Sequence, residues 1–181
     1  ATFVAAVAIS ALPFSQGLAQ DAAPMLTEAE LKTADRLIEE LVPRIEKLKV
    51  GPYTAGDDVD YGPVVTAAAK QNILGLVQSG IDQGAKLVVD GRDFSLQGYE
   101  DGFFVGAHLF DNVTPDMDIY KKEIFGPVLS VLKFSDVDEV IERGNNTFYG
   151  LAAAVWTRDV AKAHHMAAKL RAGTVWVNCY D

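Results

Sequence analysis

Between Val128 and Val177 the chain alternates strand and helix patterns with only short connections. Val128–Phe134 has a continuous apolar centre and reads as a buried strand. Asp136–Arg143 reads as a short helix with Val137, Val140 and Ile141 turned inward. Leu151–Trp156 is a strand, Val160–Leu170 a helix ending near Gly173, and Thr174–Val177 a strand. Strands that follow one another through short helices must be parallel, and such crossovers are right-handed. The expected architecture is therefore α/β, a layered domain with a mostly parallel sheet flanked by helices. No repeat of fixed period is evident.

The upstream half carries clearer start and stop signals. Thr27-Glu28-Ala29-Glu30 fits a capping box, and Leu31, Ala34, Leu37, Ile38, Leu41, Ile45 and Leu48 then form one apolar stripe. Pro43 is expected to kink that helix or split it. Gly51–Pro63, rich in Gly, Pro and Asp, reads as a loop. A second helix is predicted from Thr66, its N-cap, to Gln83, with Gly84 as its stop. Lys86–Val89 is a short strand before the turn Asp90-Gly91. Phe103–Val105 and His108–Phe110 read as strand pieces broken at Gly106.

The 181 residues suffice for one domain with a real core, and the net charge of -9 excludes the cationic surplus that nucleic-acid binding needs. The single cysteine, Cys179, rules out an internal disulfide and a multi-cysteine metal site. It reads either as a small buried apolar residue or as a reactive thiol, which would need a base or helix N-terminus beside it. Residues 1–31 hold no Lys or Arg, and Phe3–Leu12 is an apolar run of leader-like length. Residues 1–26 are thus a truncated leader, a buried strand or a poorly ordered tail, and 27–181 form the folded part. The run is too short for a membrane span, so no membrane partner is expected. A cytoplasmic location is expected, with export left open by the leader-like start.

Glu123-Ile124-Phe125-Gly126-Pro127-Val128 is the most informative string. A carboxylate and an aromatic ring, two residues apart, feed a Gly-Pro turn into a buried strand. The turn would hold both at a strand mouth, where open α/β sheets place ligands. The carboxylate could accept two hydrogen bonds from a sugar diol, and the ring could pack on a flat heterocycle. The alternative is a solvated Glu beside a core Phe.

This string resembles the "EIFGPV" signature of aldehyde dehydrogenases. Asn145–Leu151 resembles that family's N-x-x-x-Y-G-L segment, and Gly173–Asn178 resembles its G-x-x-x-x-N strand. The three stand in family order and at about family spacing, and the resemblance covers about 34–181. It implies that Glu123 bonds the hydroxyls of the nicotinamide ribose of NAD or NADP and that Phe125 packs beside the nicotinamide ring. It implies that Asn178, Cys179, Tyr180 and Asp181 lie at the wall of the aldehyde pocket. Residues 34–134 resemble methylmalonate-semialdehyde dehydrogenase, the CoA-acylating branch. Residues 149–181 resemble hydrolytic enzymes of the betaine- or phenylacetaldehyde-type, so the acyl acceptor could be CoA or water.

Set against the family, the chain lacks the Gly-rich phosphate turn of a cofactor domain and the Gly-x-x-Cys string of the nucleophile. The resemblance therefore implies a partial catalytic domain with no catalytic residue of its own. Oxidation of an aldehyde to an acid or acyl-CoA is expected of the family, and inactivity with weak or no NAD binding of this chain alone. The alternative is a non-catalytic degenerate α/β domain that binds a partner. Uncovered apolar surface predicts self-association.

No metal site is expected. His108, His164 and His165 read as solvated or satisfied, and the last two, being adjacent, point to different helix faces. Asp57, Asp58 and Asp60 read as a solvated loop, without the Gly and closing Glu of a calcium site. Asn112-Val113-Thr114 is a glycosylation sequon by pattern alone.

Overall fold

A computed structural model describes the backbone over residues 28–179 and, Asp57 apart, the side chains from residue 34 onward. The leader-like segment, Thr27 of the capping box, Tyr180 and Asp181 lie outside the described residues. The described residues divide into two compact units, one of 36–132 and the other of 28–35 with 133–179.

In the 36–132 unit, helix α2 (Ala67–Asp82) starts where its sequence predicts. The Thr66 hydroxyl accepts a hydrogen bond from the Ala69 amide at 3.1 Å, satisfying a donor the helix cannot. Ile73, Val77 and Gly80, at helical spacing, form the buried face. Gly84 follows the helix at φ 94°, a left-handed position natural to glycine. Gly80 lets the helix lie close on the core: a Cβ there would stand 3.1 Å from Phe110 Cζ and 2.9 Å from Ile119 Cδ1.

The sheet beneath is ordered β1 (Lys86–Val89), β2 (His108–Asp111), β3 (Val128–Ser130). β2 is central and every residue in it is buried. Phe110 joins Ile73, Val77, Met117, Ile119 and Ile124 in the core, the last two flanking the short helix α3 (Asp118–Lys121) or within it. β2 and β3 are parallel, with Leu109 opposite Leu129, whereas β1 and β2 are antiparallel. β1 can pair antiparallel with β2 because residues 90–107 contain no helix to carry a parallel crossover.

Two predicted strands are trimmed. Phe103–Val105 forms no strand: the Phe103 carbonyl accepts from the Val64 amide at 2.9 Å and the Val105 carbonyl from the Tyr61 hydroxyl at 3.1 Å. That burial holds the Tyr61 phenol above its ordinary pKa. β3 stops at Ser130, short of Phe134. The loop predicted at Gly51–Pro63 contains a 3-10 turn, Tyr53–Asp58, and a single bridge between Val50 and Tyr61. Asp60 of its acidic group accepts from the Lys49 amide at 2.7 Å.

Helix α1 (Glu28–Ile45) runs through Pro43 without the predicted split. Pro43 falls in its last turn, where the bond its missing N–H forfeits is a single one and only Arg44 and Ile45 follow it in the helix. Ile38 is its buried residue on the apolar stripe, with Leu37, Leu41 and Ile45 half-buried.

In the other unit, β4 (Ala152–Val155) and β5 (Thr174–Val177) pair in parallel, with Ala152 opposite Thr174. Helices α4 (Val137–Asn145) and α5 (Val160–Lys169) begin at aspartates. Asp136 accepts from the amides of Asp138 and Glu139, and Asp159 from those of Ala161 and Lys162. Val140, Ile141, Val155, Met166 and Leu170 form the core. Asn145 ties the two helix ends together: its amide donates to the Lys169 carbonyl at 2.9 Å and accepts from the Arg171 amide at 2.7 Å. The predicted α/β class holds, as a three-stranded mixed sheet and a two-stranded parallel one. No described helix is long and apolar enough to cross a membrane.

Candidate cofactor-facing site

The turn that joins α3 to β3 carries the two residues singled out for cofactor contact. Ile124 is buried in the core, and its neighbours on either side are not: Glu123 is half-buried and Phe125 is 67% exposed. Phe125 has φ 56°, in the left-handed region that bulky side chains rarely enter. The Gly126 carbonyl accepts from the Val128 amide at 2.8 Å, which closes the turn around Pro127. The Pro127 carbonyl accepts from the His108 amide at 2.9 Å, fastening the turn to β2. Glu123 and Phe125 thus flank a buried anchor, Ile124, on one fastened turn.

The turn precedes β3, so it lies at the amino ends of the parallel β2–β3 pair. The general preference of open α/β sheets is for the carboxyl ends. The expected argument from strand mouths therefore does not apply here, and what presents the ring is the turn's own conformation.

His108 stands where this turn meets β2, and sequence reasoning missed it. Expected to be solvated or satisfied, it is 1% exposed, and neither ring nitrogen meets a partner at full hydrogen-bond geometry, although the backbone of Gly106 and Pro127 lies near enough to favour its protonated form. Burial pushes its pKa below the ordinary value of 6.5, against the opposing pull of Asp90. The other charge that reaches it, Arg92, is engaged with Asp90, the guanidinium lying 2.6 Å from the carboxylate. That pairing holds Asp90 down at about 2. The available signal was position: a histidine leading the apolar run His108-Leu109-Phe110 sits on a strand buried on both faces.

Of the expected wall residues, Asn178 and Cys179 are described and belong to the other unit, while Tyr180 and Asp181 lie outside the described residues. Asn178 ends β5 at φ 54°, a conformation asparagine tolerates. Its side chain clasps Thr157: Oδ1 accepts from the Thr157 amide at 2.8 Å, and Nδ2 donates to the Thr157 carbonyl at 2.9 Å. Its own amide donates to the Val155 carbonyl at 2.8 Å. Both amide atoms are spent on closing the β4–β5 end, so this residue shapes backbone there. Cys179 follows as an exposed free thiol. Of the histidines on α5, His165 meets Asp138 at 2.9 Å. Among the described residues, no three His, Cys, Asp or Glu side chains gather as a metal site.

Comparison with known proteins agrees with the motifs. Residues 26–181 match the aldehyde dehydrogenase family profile. The chain is 46% identical over 147 residues to malonate-semialdehyde dehydrogenase of Pseudomonas aeruginosa, covering 81% of this chain and 29% of that protein. It is also 46% identical over 147 residues to betaine aldehyde dehydrogenase of Mesorhizobium japonicum, covering 81% of this chain and 30% of that one. Among solved structures, it resembles a protein assigned as methylmalonate-semialdehyde dehydrogenase of Sinorhizobium meliloti, crystallised with NAD. There the identity is 55% and the TM-score 0.78, over 81% of this chain and 30% of the other. The methylmalonate-semialdehyde dehydrogenase of Oceanimonas doudoroffii matches at 36% identity and TM-score 0.78, over 84% and 30% of the two chains. The sequence thus spans about 30% of the length of the relatives it matches. With motif order, α/β fold and profile in agreement, the chain belongs to the aldehyde dehydrogenase family.

Proposed function

We propose that these residues supply the nicotinamide-facing side of an NAD(P)-dependent aldehyde dehydrogenase. The observation that carries the reading is the exposed, left-handed Phe125 two residues from Glu123 in a fastened turn, in a chain of this family. A flat, exposed ring and a carboxylate two residues away fit a nicotinamide riboside, the ring covering the heterocycle and the carboxylate accepting from ribose hydroxyls. A bound NAD(P) would supply the hydride acceptor for the aldehyde carbon as that carbon is oxidised. The chain's own contribution is to orient and to exclude water: Phe125 shields one edge of the heterocycle, and Glu123 fixes its rotation about the ribose.

The aldehyde would be a small semialdehyde of the malonate or methylmalonate type, a reading supported by the 55% identity to the Sinorhizobium meliloti protein. CoA as acyl acceptor goes with that reading, water with the likeness to betaine aldehyde dehydrogenase. Asn178 and Cys179 would stand at the aldehyde wall. Cys179 is the only thiol in these 181 residues, and by resemblance it stands at the pocket wall and not at the position of the family's nucleophile. The chain alone is therefore proposed to bind cofactor weakly and not to turn over.

Isothermal titration of NAD into the 181-residue protein and into Glu123→Ala tests the reading. Weak binding that disappears in the variant supports it. Binding unchanged by Glu123→Ala, or sustained NADH formation with a small aldehyde, contradicts it.

A further inference from the structure

A phenylalanine at φ 56° with most of its surface in water is held there against its own preference. Nothing in an exposed ring stabilises such a backbone, so the constraint must come from its neighbours. Ile124, on one side, is locked in the core. On the other side, Gly126 is pressed onto α2. A Cβ at Gly126 would lie 2.6 Å from Ile73 Cδ1, 2.9 Å from Cγ1 and 3.2 Å from Cγ2. All three contacts are with one side chain, and Ile73 is 1% exposed, packed where it cannot swing aside. Beyond Gly126 the chain is fastened again through the Gly126–Val128 and Pro127–His108 hydrogen bonds. Phe125 is the residue left to absorb the geometry.

We infer that Ile73 of α2 is a positioning residue for this site: by bracing Gly126 it forces Phe125 into the left-handed region and holds the ring outward. Its consequence for ligand rests on the cofactor reading above; the mechanical coupling does not. Ile73 touches no ligand in this scheme. It acts through Gly126, and removing a methyl from Ile73 gives the turn room to settle and Phe125 room to relax.

Alanine and glycine at position 125 report the strain without the ring. Left-handed backbone costs alanine about 1 kcal/mol more than glycine. With Ile73 present, Phe125→Gly should therefore melt about 2–4 °C above Phe125→Ala for a chain of this size. In the Ile73→Val background the gap should close or reverse. Ile73→Leu, which keeps the volume and moves the branch, should do the same and stands in where Ile73→Val is too unstable to melt cleanly. An equal gap with and without Ile73, or no gap with it, overturns the inference. Saturation-transfer NMR with NAD separates the two claims. Transfer seen with the parent chain and several-fold weaker in Ile73→Val supports positioning for cofactor. Absence of transfer in the parent overturns the cofactor reading, while the melting comparison still decides the role of Ile73.

Discussion

Replacing His108 by leucine should stabilise the protein, although the residue is in the centre of the sheet. Each buried ring nitrogen without a partner costs about 1–3 kcal/mol of lost hydration. At 1% exposure, neither nitrogen of His108 meets a partner at full hydrogen-bond geometry, and the backbone of Gly106 and Pro127 offsets only part of that cost. Leucine has a comparable volume and no polar atom, and its shape mismatch in a close-packed site returns part of the gain. The expected net effect is about 1–3 kcal/mol at pH 8. The pH dependence gives a second, independent handle. Burial lowers the folded-state pKa of His108 below 6.5, so below that pH the unfolded chain binds a proton that the folded chain refuses. Stability is full above the unfolded value and falls as pH drops from there towards the folded value, with a slope of up to about 1.4 kcal/mol per pH unit. Urea unfolding followed by far-ultraviolet circular dichroism, across about pH 8 to 5, measures both. His108→Leu should raise the midpoint at pH 8 and flatten the acid side. A variant less stable than the parent at pH 8, with the same acid slope, would refute the reasoning.

Three further outcomes follow from the same geometry. The Asp90 carboxyl should titrate near 2 by NMR, and Arg92→Ala should return it towards the ordinary 3.8; because the pair is exposed, the accompanying change in stability should be small. Asn145→Ala removes the two side-chain hydrogen bonds that join the ends of α4 and α5, and should cost about 1–3 kcal/mol in urea unfolding, with Asn145→Gln recovering little because the longer side chain misses both partners. Phe148, Tyr149 and Leu151 stand exposed before β4, so light scattering should show association rising with concentration, reduced in Phe148→Ser; a monomer at all concentrations would contradict this.

Local signals in the sequence translated into structure wherever one residue decides the outcome. Thr66 caps α2 because its hydroxyl reaches the Ala69 amide, a contact made within four residues. Gly84 stops that helix for an equally local reason, and Thr174–Val177 is a strand with the bounds its β-branched run suggests. Non-local decisions were less legible. The antiparallel pairing of β1 depends on what lies between it and β2, and the fate of Phe103–Val105 depends on Tyr61, far away in sequence. Pro43 broke nothing because its effect depends on distance from a helix end that propensity alone places poorly. For the site, the EIFGPV string singled out Glu123 and Phe125, the two residues of the proposed cofactor contact. Its left-handed Phe125 and its brace on Ile73 were invisible, since φ and packing at Gly126 are set by the folded core. His108 was misjudged for the same reason: residue type favours solvation, and only the central place of β2 buries it.

In the proposed contact, Phe125 and Glu123 would face the nicotinamide end of the cofactor. Saturation-transfer NMR at millimolar NAD reads that contact proton by proton. The predicted result is strongest transfer to the nicotinamide protons, lost in Phe125→Ala and weakened in Glu123→Ala. Transfer confined to the adenine protons, or a pattern indifferent to both substitutions, would contradict it.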